Sequence, residues 1–376
     1  MNILIFIVVI VALIVVHEFG HFIAAKLSGM RVDEFGLGYP PRALTIGKWG
    51  ETEYTLNWLP FGGFVKIYGE DGIQEQQAGA AGSKAFSARP RILQAFVLVA
   101  GIAMNLLFAY ALITSALVMG TPRALSESEL AVARDTELMV ASILPGTPAS
   151  VAGLLPGDAI VSAKDAKGEW RPSTPLGTGT TDPKSFSAFI TASGGSTVTL
   201  DVKRNGEEKS VTVTPKEGVA TNDPFRYALG VEVAAVGVVP LSLGAAIQEG
   251  AALTWGATKL TAVGLWHFFY GVFTLSADLS QVAGPIGIAG AVGSASSQGV
   301  GNLLSLIAII SINLALINLI PVPALDGGRL LFVIIESIIR RPIKASIAHA
   351  INSIGFVFLI LLMLVVTAHD IFKIIG

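Results

Sequence analysis

Three stretches of this chain, residues 92–119, 301–325 and 350–369, contain no Asp, Glu, Lys or Arg. Each is long enough to cross a bilayer, which takes about 20 apolar residues. Inside lipid every backbone N–H and C=O must be satisfied by the chain itself, so each stretch is restricted to a helix. A fourth candidate starts near the first residue. Residues 3–16 are unbroken apolar, His17, Glu18 and His21 interrupt, and residues 22–25 resume the run. Read as a helix to about Leu27, it too can span. A cleaved signal peptide is the alternative, but no basic segment precedes the apolar run and no A-x-A site follows it, so the uncleaved helix is preferred.

Apolar residues make up 52% of the chain and charged residues 14%, against about 25% charged in a soluble domain. A net charge of −2 lacks the basic footprint of a nucleic-acid binder, and no nucleic-acid partner is expected. The absence of cysteine excludes disulfides, thiolate chemistry, iron–sulfur clusters and Cys-ligated zinc, so any metal must be held by His, Asp or Glu. Lys and Arg gather in two segments beside the spans: Arg31, Arg42, Lys48, Lys66, Lys84, Arg89 and Arg91 in one, Arg329, Arg340, Arg341 and Lys344 in the other. Such clusters mark the cytoplasmic side, which makes residues 121–240 extracytoplasmic and both termini external. Residues 251–275 are ambiguous. They carry one formal charge, Lys259, and the aromatics Trp255, Trp266, Phe268, Phe269 and Tyr270, which suits either a fifth span or a helix lying in the interface.

The polar region reads as short strands at 140–144, 159–163, 198–203 and 210–214, the last two joined across the hairpin signal Asn205-Gly206. A second helix is expected at 186–192 and a loose insert at 171–183. The run Pro-Gly-Thr-Pro-Ala-Ser-Val-Ala-Gly-Leu-Leu-Pro-Gly-Asp at 145–158 resembles the strand, loop and short helix of bacterial PDZ domains. On that likeness Leu229, Gly230 and Val231, within Tyr-Ala-Leu-Gly-Val at 227–231, correspond to a loop whose backbone N–H groups capture a peptide or chain end. A β-rich spacer that binds nothing is the alternative.

His17-Glu18-Phe19-Gly20-His21 is an H-E-x-x-H sequence. On a helix, i and i+4 share a face, so both imidazoles can offer a nitrogen to one zinc, and Glu18 is placed to take a proton from water. An ionisable group at membrane depth costs roughly 2.5–3.5 kcal/mol on insertion scales, so three in five positions require compensation, which a metal supplies. A catalytic zinc normally has three protein ligands. The outstanding candidate for the third is Asp326, which follows 47 uncharged residues and sits in Asn318-Leu-Ile-Pro321-Val-Pro323-Ala-Leu-Asp326-Gly327-Gly328. Prolines and a glycine pair break a helix there, and irregular backbone at that depth is tolerated only against protein or a polar cavity.

The paired motifs H-E-F-G-H and N-x-x-P-x-P-x-L-D-G-G resemble the site-2 protease family of intramembrane zinc metalloproteases, and the polar insert resembles the bacterial regulator-of-sigma-E protease branch, here with room for a single PDZ domain. Pro60-Phe61-Gly62-Gly63-Phe64-Val65-Lys66 is similar to that branch's membrane-associated β-loop, and Gly-Pro-Ile-Gly-Ile-Ala at 284–289 to its segment before the third span. The resemblance implies one zinc per chain on His17, His21 and Asp326, Glu18 as general base, and Asn318 and Pro321 seating the substrate. It also implies single-span membrane proteins as substrates, anti-sigma factors or remnant signal peptides among them, and a bacterial cytoplasmic membrane location. A second-span pattern that often reads A-G-P-x-x-N stands here as Ala-Gly-Ile-Ala-Met-Asn at 100–105, without its proline.

Asp326 meets a site on the first span only if both spans run the same way, so 251–275 cannot cross. The expected fold is a polytopic α-helical membrane protein of four transmembrane helices, with a membrane-associated β-loop and an inserted, β-rich, PDZ-like extracytoplasmic domain. Its segments are a first span with H-E-x-x-H (1–27), a cytoplasmic segment with the β-loop (28–90), a second span (91–120), the extracytoplasmic region (121–240), interfacial amphipathic helices (241–300), a third span with L-D-G-G (301–328), a cytoplasmic loop (329–349) and a fourth span (350–373). A transmembrane substrate hides its carbonyls in helical bonds and must unwind. Gly62, Gly63 and Phe64 offer a strand edge to which it can add, with Phe61, Phe64 and Val65 dipping into lipid. Residues 74–89 read as a mobile loop, and Glu336 as the partner of Arg340 four residues on. His267, His349 and His369 are isolated. A transporter with a midplane metal site is disfavoured by the lack of an internal repeat. A zinc-stabilised scaffold that presents its PDZ-like domain without catalysis is the remaining alternative.

Overall fold

The computed structural model describes residues 2–70, 84–172, 182–204, 206–219, 223, 225–239, 241–274, 283–341 and 343–375, with side chains at all but 2, 60, 61, 273, 345 and 373–375. They form two units, one from Met1–Leu117 and Leu243–Gly376 and one from Val118–Ser242.

Helix α1 (Asn2–Leu27) opens the first unit. Over residues 3–16 it is apolar on every side, which suits a helix in lipid rather than at a protein surface. Strands β1 (Val32–Trp49) and β2 (Thr52–Ile67) follow, both bent. Phe35, Gly36 and Leu37 pair on one side with Tyr54, Thr55 and Leu56, and on the other with Val65, Phe64 and Gly63, while Leu44 and Thr45 pair back to Leu56 and Thr55. The two strands therefore make four antiparallel rows in the order 63–67, 32–37, 53–57, 42–49. The first two rows are anchored: Val32 and Ile67 are buried with Ala24, Ala25, Phe86, Val97 and Val333. The outer row carries exposed Leu44, Ile46 and Trp49, and Trp58 is exposed nearby.

The expected loose loop at 74–89 is corrected in its second part. Phe86 is buried, Arg31 N–H donates to the Lys84 carbonyl at 3.0 Å and Phe86 N–H to that of Tyr68 at 2.8 Å. Residues 74–83 lie outside the described residues. Helix α2 (Arg91–Val118) then runs without a break through Ile102, where the proline of the related pattern would fall.

The second unit is a seven-stranded sheet with two helices. Its strands are β3 (Arg123–Ala124), β4 (Arg134–Ile143), β5 (Ala159–Lys164), β6 (Glu169–Trp170), β7 (Val198–Arg204), β8 (Glu207–Val213) and β9 (Val231–Val238). The order is β3-β9-β4-β5-β7-β8, with β6 on β5. The alternating apolar residues of β4, β5 and β7 supply Leu138, Val140, Ile160, Val198, Leu200 and Val202 to one core. Helix α3 (Pro148–Val151) and helix α4 (Pro183–Ser193) close it with Ala149, Phe186 and Ile190. Gly206 takes φ +89° in the two-residue turn between β7 and β8, a conformation glycine adopts freely. Asn205 and most of the 171–183 insert lie outside the described residues.

The last part of the chain returns to the first unit. It holds α5 (Leu243–Phe273), α6 (Pro285–Ser297), α7 (Val300–Leu319), α8 (Asp326–Ile339) and α9 (Ala345–Ile375). Four helices, Ile3–Leu27, Arg91–Val118, Val300–Leu319 and Ser346–Phe372, are long and apolar enough to cross a membrane; α5 is not among them. It leans on α2, with Tyr110 Oη donating to the Ile247 carbonyl at 3.3 Å, and exposes Trp255, Trp266 and Tyr270. The buried Asp370 carboxylate near the end of α9 accepts from the N–H groups of Gly284 and Gly287 at 3.1 and 2.8 Å, which caps α6.

The helix that precedes Asp326 ends at Leu319, not at residue 325. Pro321 and Pro323 cannot continue the ladder. The chain takes φ +75° at Ala324 and re-enters helix at Asp326. Glu336 is also corrected: its partner is Arg91 at the start of α2, at 2.7 Å, and its other oxygen accepts from Ile343 N–H at 2.8 Å, because α8 packs back on α2 while Arg340 caps the helix in the left-handed region.

In the second unit, Asp158 is almost fully buried and receives both Nε and Nη2 of Arg204, at 2.6 and 2.7 Å, plus Leu155 N–H at 2.9 Å. Burial pushes this carboxyl up, but Arg204 and the N–H donor outweigh it, and it titrates below the usual range. Its stabilisation is therefore present above the unfolded carboxylate pKa of about 3.9 and is lost as pH falls through the lower folded value. Arg204→Ala strands the carboxylate and should cost about 3 kcal/mol. Hydrogen exchange of β5 and β7 in the full chain should accelerate, and the acid loss should begin at higher pH than in the wild type.

Candidate metal centre and active site

Helix α1 sets His17 and His21 one turn apart, both buried. Helix α2 meets them with a strip at four-residue spacing: Val97, Gly101 and Asn105. The two helices touch closely because both carry glycine at the crossing. A Cβ on Gly20 would strike the Ala100 carbonyl, and a Cβ on Gly101 would strike the His21 ring and crowd His17. His21 Nδ1 lies 2.8 Å from the Val97 carbonyl, so this nitrogen carries the hydrogen and Nε2 is the free one. His17 Nδ1 lies 3.2 Å from the Asn105 side-chain amide nitrogen.

Asp326 arrives at the start of α8. Gly327 and Gly328 let that helix fold against the end of α7, since a Cβ on either would strike the carbonyls of Leu319, Ile320 or Val322. Arg329 pairs with Glu70 beyond β2. The result joins positions 309 residues apart: Asp326 Oδ2 stands 2.9 Å from His17 Nε2 and 3.1 Å from His21 Nε2, and the two Nε2 atoms are 3.2 Å apart. Ligands about 2.0–2.1 Å from a tetrahedral zinc would stand about 3.3 Å from one another. Two imidazoles and one carboxylate oxygen at this spacing fit that ion, with a fourth position left for water or substrate. Among the described residues this is the one group of three or more His, Asp or Glu able to hold a metal.

Of the other residues singled out from the sequence, Glu18 is half-buried and its carboxylate has no hydrogen-bond partner among the described residues. Gly63 is beside it: a Cβ there would lie 3.7 Å from Glu18 Cγ and 3.2 Å from the Gly36 carbonyl. Gly62 is buried at φ +132° under the Tyr39 ring, and the Phe64 ring covers Gly36. The Phe61 side chain lies outside the described residues. Asn318 Nδ2 is 3.4 Å from His17 Nε2, so this residue joins the centre, whereas Pro321 is exposed on the turn after α7. Leu229, Gly230 and Val231 belong to the second unit. Leu229 is in its core, the carbonyls of Leu229 and Gly230 accept from Ala149 and Leu144 N–H at 2.9 Å, and Val231 opens β9. The α2 strip is not assigned to the centre by sequence reasoning. Its signals there are the Ala-Gly-Ile-Ala-Met-Asn pattern at 100–105, which holds Gly101 and Asn105, and the four-residue spacing of 97, 101 and 105 within an otherwise apolar span.

Residues 5–362 match the model of peptidase family M50. The chain belongs to that family: it is a zinc metalloprotease with four helices able to cross a membrane, and its cofactor is zinc. It is 35% identical over 360 residues to a provisionally named zinc metalloprotease of Clostridium perfringens, covering 96% of this chain and 95% of the relative. It is 28% identical over 450 residues to the zinc metalloprotease RasP of Geobacillus kaustophilus, covering 99% and 98%. A provisionally named zinc metalloprotease of a Nostoc species is 32% identical over 365 residues, with 96% and 93% covered.

The Gly101 contact makes a direct prediction. Gly101→Ala drives a methyl group onto the two imidazoles and should lower zinc content of the purified protein at least about tenfold, the scale of lost ligand orientation, while helix content by circular dichroism stays unchanged.

Proposed function

We propose that the protein hydrolyses peptide bonds within transmembrane segments of other membrane proteins, with zinc on His17, His21 and Asp326 and with Glu18 as general base. The observation that carries this reading is the meeting of three ligating atoms from α1 and α8 beside a carboxylate that has no other partner among the described residues. Zinc, when bound, supplies the Lewis acidity that polarises the scissile carbonyl and acidifies water. Glu18 takes the proton from the attacking water and returns it to the leaving amine. Asn318 holds the substrate carbonyl through its amide, and Pro321 shapes the turn behind it.

On this reading the centre lies toward the cytoplasmic face of a bacterial inner membrane, with both termini on the external side. Basic residues at 31–91 and 329–344 support this orientation. The second unit is then extracytoplasmic, and we read it as a single PDZ-like domain whose 229–231 loop takes a peptide or chain end. Substrates are single-span membrane proteins, anti-sigma factors or remnant signal peptides among them. The 63–67 row has a strand partner on one side only among the described residues and reaches Glu18 at Gly63, which supports pairing of an unwound substrate along it.

The first test is metal content and cleavage of a single-span substrate in detergent. His17→Ala and Asp326→Ala should each lose the zinc. Glu18→Gln should keep it and lose about 10²–10⁴-fold in turnover, whereas unchanged turnover would leave the scaffold reading in its place. The strand-pairing reading has its own test, since the chain lacks cysteine. In the Glu18→Gln background, Lys66→Cys should form a disulfide with a single-cysteine substrate, and Lys48→Cys in the outer row should not. Equal cross-linking of both would refute pairing at the 63–67 row.

A further inference from the structure

Asn105 is a fully buried amide in an apolar span, and its two ends are treated differently. Its Nδ2 stands 3.2 Å from His17 Nδ1, while its Oδ1 is one of the few buried side-chain atoms without a partner among the described residues. The residue is held from behind: Ser311 Oγ of α7 donates to its backbone carbonyl at 2.8 Å. An unpaired buried acceptor costs about 1–3 kcal/mol, so an amide kept there invites a reason.

The reason follows from counting hydrogens on His17. A neutral imidazole carries one, and the other nitrogen is an acceptor or a ligand. His17 Nε2 faces Asp326 and His21. Without a metal that nitrogen can carry the hydrogen and give it to Asp326, and Nδ1 then accepts from the Asn105 amide. With its lone pair committed to a metal, Nε2 has no hydrogen, so Nδ1 bears it and needs an acceptor. Turning the Asn105 amide by half a turn about its last bond brings Oδ1 to the place where Nδ2 now stands.

We propose that Asn105 is the positioning residue of His17: its side-chain carbonyl accepts the Nδ1 hydrogen in the zinc-loaded protein and fixes the ring for ligation through Nε2. His21 has its counterpart in the Val97 carbonyl, further along the same strip of α2. The inference rests on the reading of His17 as a zinc ligand. Orientation of a ligating histidine by such a partner is typically worth about 10–100-fold in metal affinity.

The test is zinc affinity of the full chain in detergent, measured by chelator competition at one pH. Asn105→Ala and the bulkier Asn105→Leu remove the acceptor and should each weaken zinc about 10–100-fold. Asn105→Asp keeps an acceptor without the amide nitrogen and should bind zinc within about threefold of wild type, since only the acceptor is needed. Ser311→Ala removes the backbone anchor, leaves the amide, and should bind as wild type. Equal affinity in all Asn105 variants overturns the proposal, as does equal weakening in Asn105→Asp and Asn105→Leu, which would make the role one of packing. His17→Ala separates the two readings: zinc retained at wild-type affinity there refutes the ligand assignment itself, whereas zinc lost there and kept in Asn105→Leu refutes only the role of Asn105.

Discussion

Two imidazoles and a carboxylate packed at hydrogen-bond distance inside an apolar bundle are costly unless each polar atom has something to do, and most of the first unit is arranged around that requirement. Ionisable groups at such depth pair with one another or with backbone. Here α1 contributes the imidazoles, α2 a carbonyl and an amide, and α8 the carboxylate. The close crossing of α1 and α2 at Gly20 and Gly101 is the geometric condition for all of it. Small residues at a crossing let backbones approach in a membrane, where apolar burial gives helices little reason to associate. Any larger residue at 101 would occupy the space of the imidazoles.

The same logic explains the break between α7 and α8. An unbroken helix would carry Asp326 past the level of the histidines on a face fixed by its period. Ending α7 at Leu319 and restarting at Asp326 frees the carboxylate from that period. The turn keeps its backbone paired: Val322 N–H donates to the Ile320 carbonyl at 2.7 Å, and Gly328 and Arg329 N–H donate to that of Leu325 at 3.1 Å. Pro323 packs against Gly355 of α9, so the fourth span buttresses the turn. The irregular backbone is thus paired within the turn and packed on α9 at Pro323, while Pro321 and Ala324 stay exposed.

What is legible in the sequence follows from how local each signal is. The spans can be read because absence of charge over a whole span needs no tertiary information. The H-E-x-x-H face can be read because a helix fixes i and i+4, and Asp326 because a lone carboxylate in an apolar run is conspicuous. The strands of the second unit lie near their alternating runs, while β9 and the short β3 and β6 escape notice because their pairing is set by distant partners. Local spacing points Glu336 to Arg340, and the long-range contact with Arg91 wins because α8 packs on α2. Val97 is illegible as part of the centre, and Asn105 is legible only as the end of the 100–105 pattern, without its facing toward His17. Val97 acts through a backbone carbonyl that any residue could supply, and Asn105 lies on a helix whose facing is decided only by the Gly20–Gly101 crossing.

The geometry also bears on how a helical substrate would be cut. A peptide bond in a helix has its carbonyl committed to the N–H four residues on, so neither Asn318 nor Glu18 can engage it before the helix opens. Lost helical bonds must be replaced at once in a low-dielectric site, since each unsatisfied backbone group there costs several kcal/mol. The 63–67 row has a strand partner on one side only among the described residues and reaches Glu18 at Gly63, and on the proposed assignment it would supply such replacements where they are needed. On the proposed assignment, unwinding and catalysis are therefore coupled through one short segment: the backbone that receives the opened strand also fixes how far its carbonyl lies from the general base.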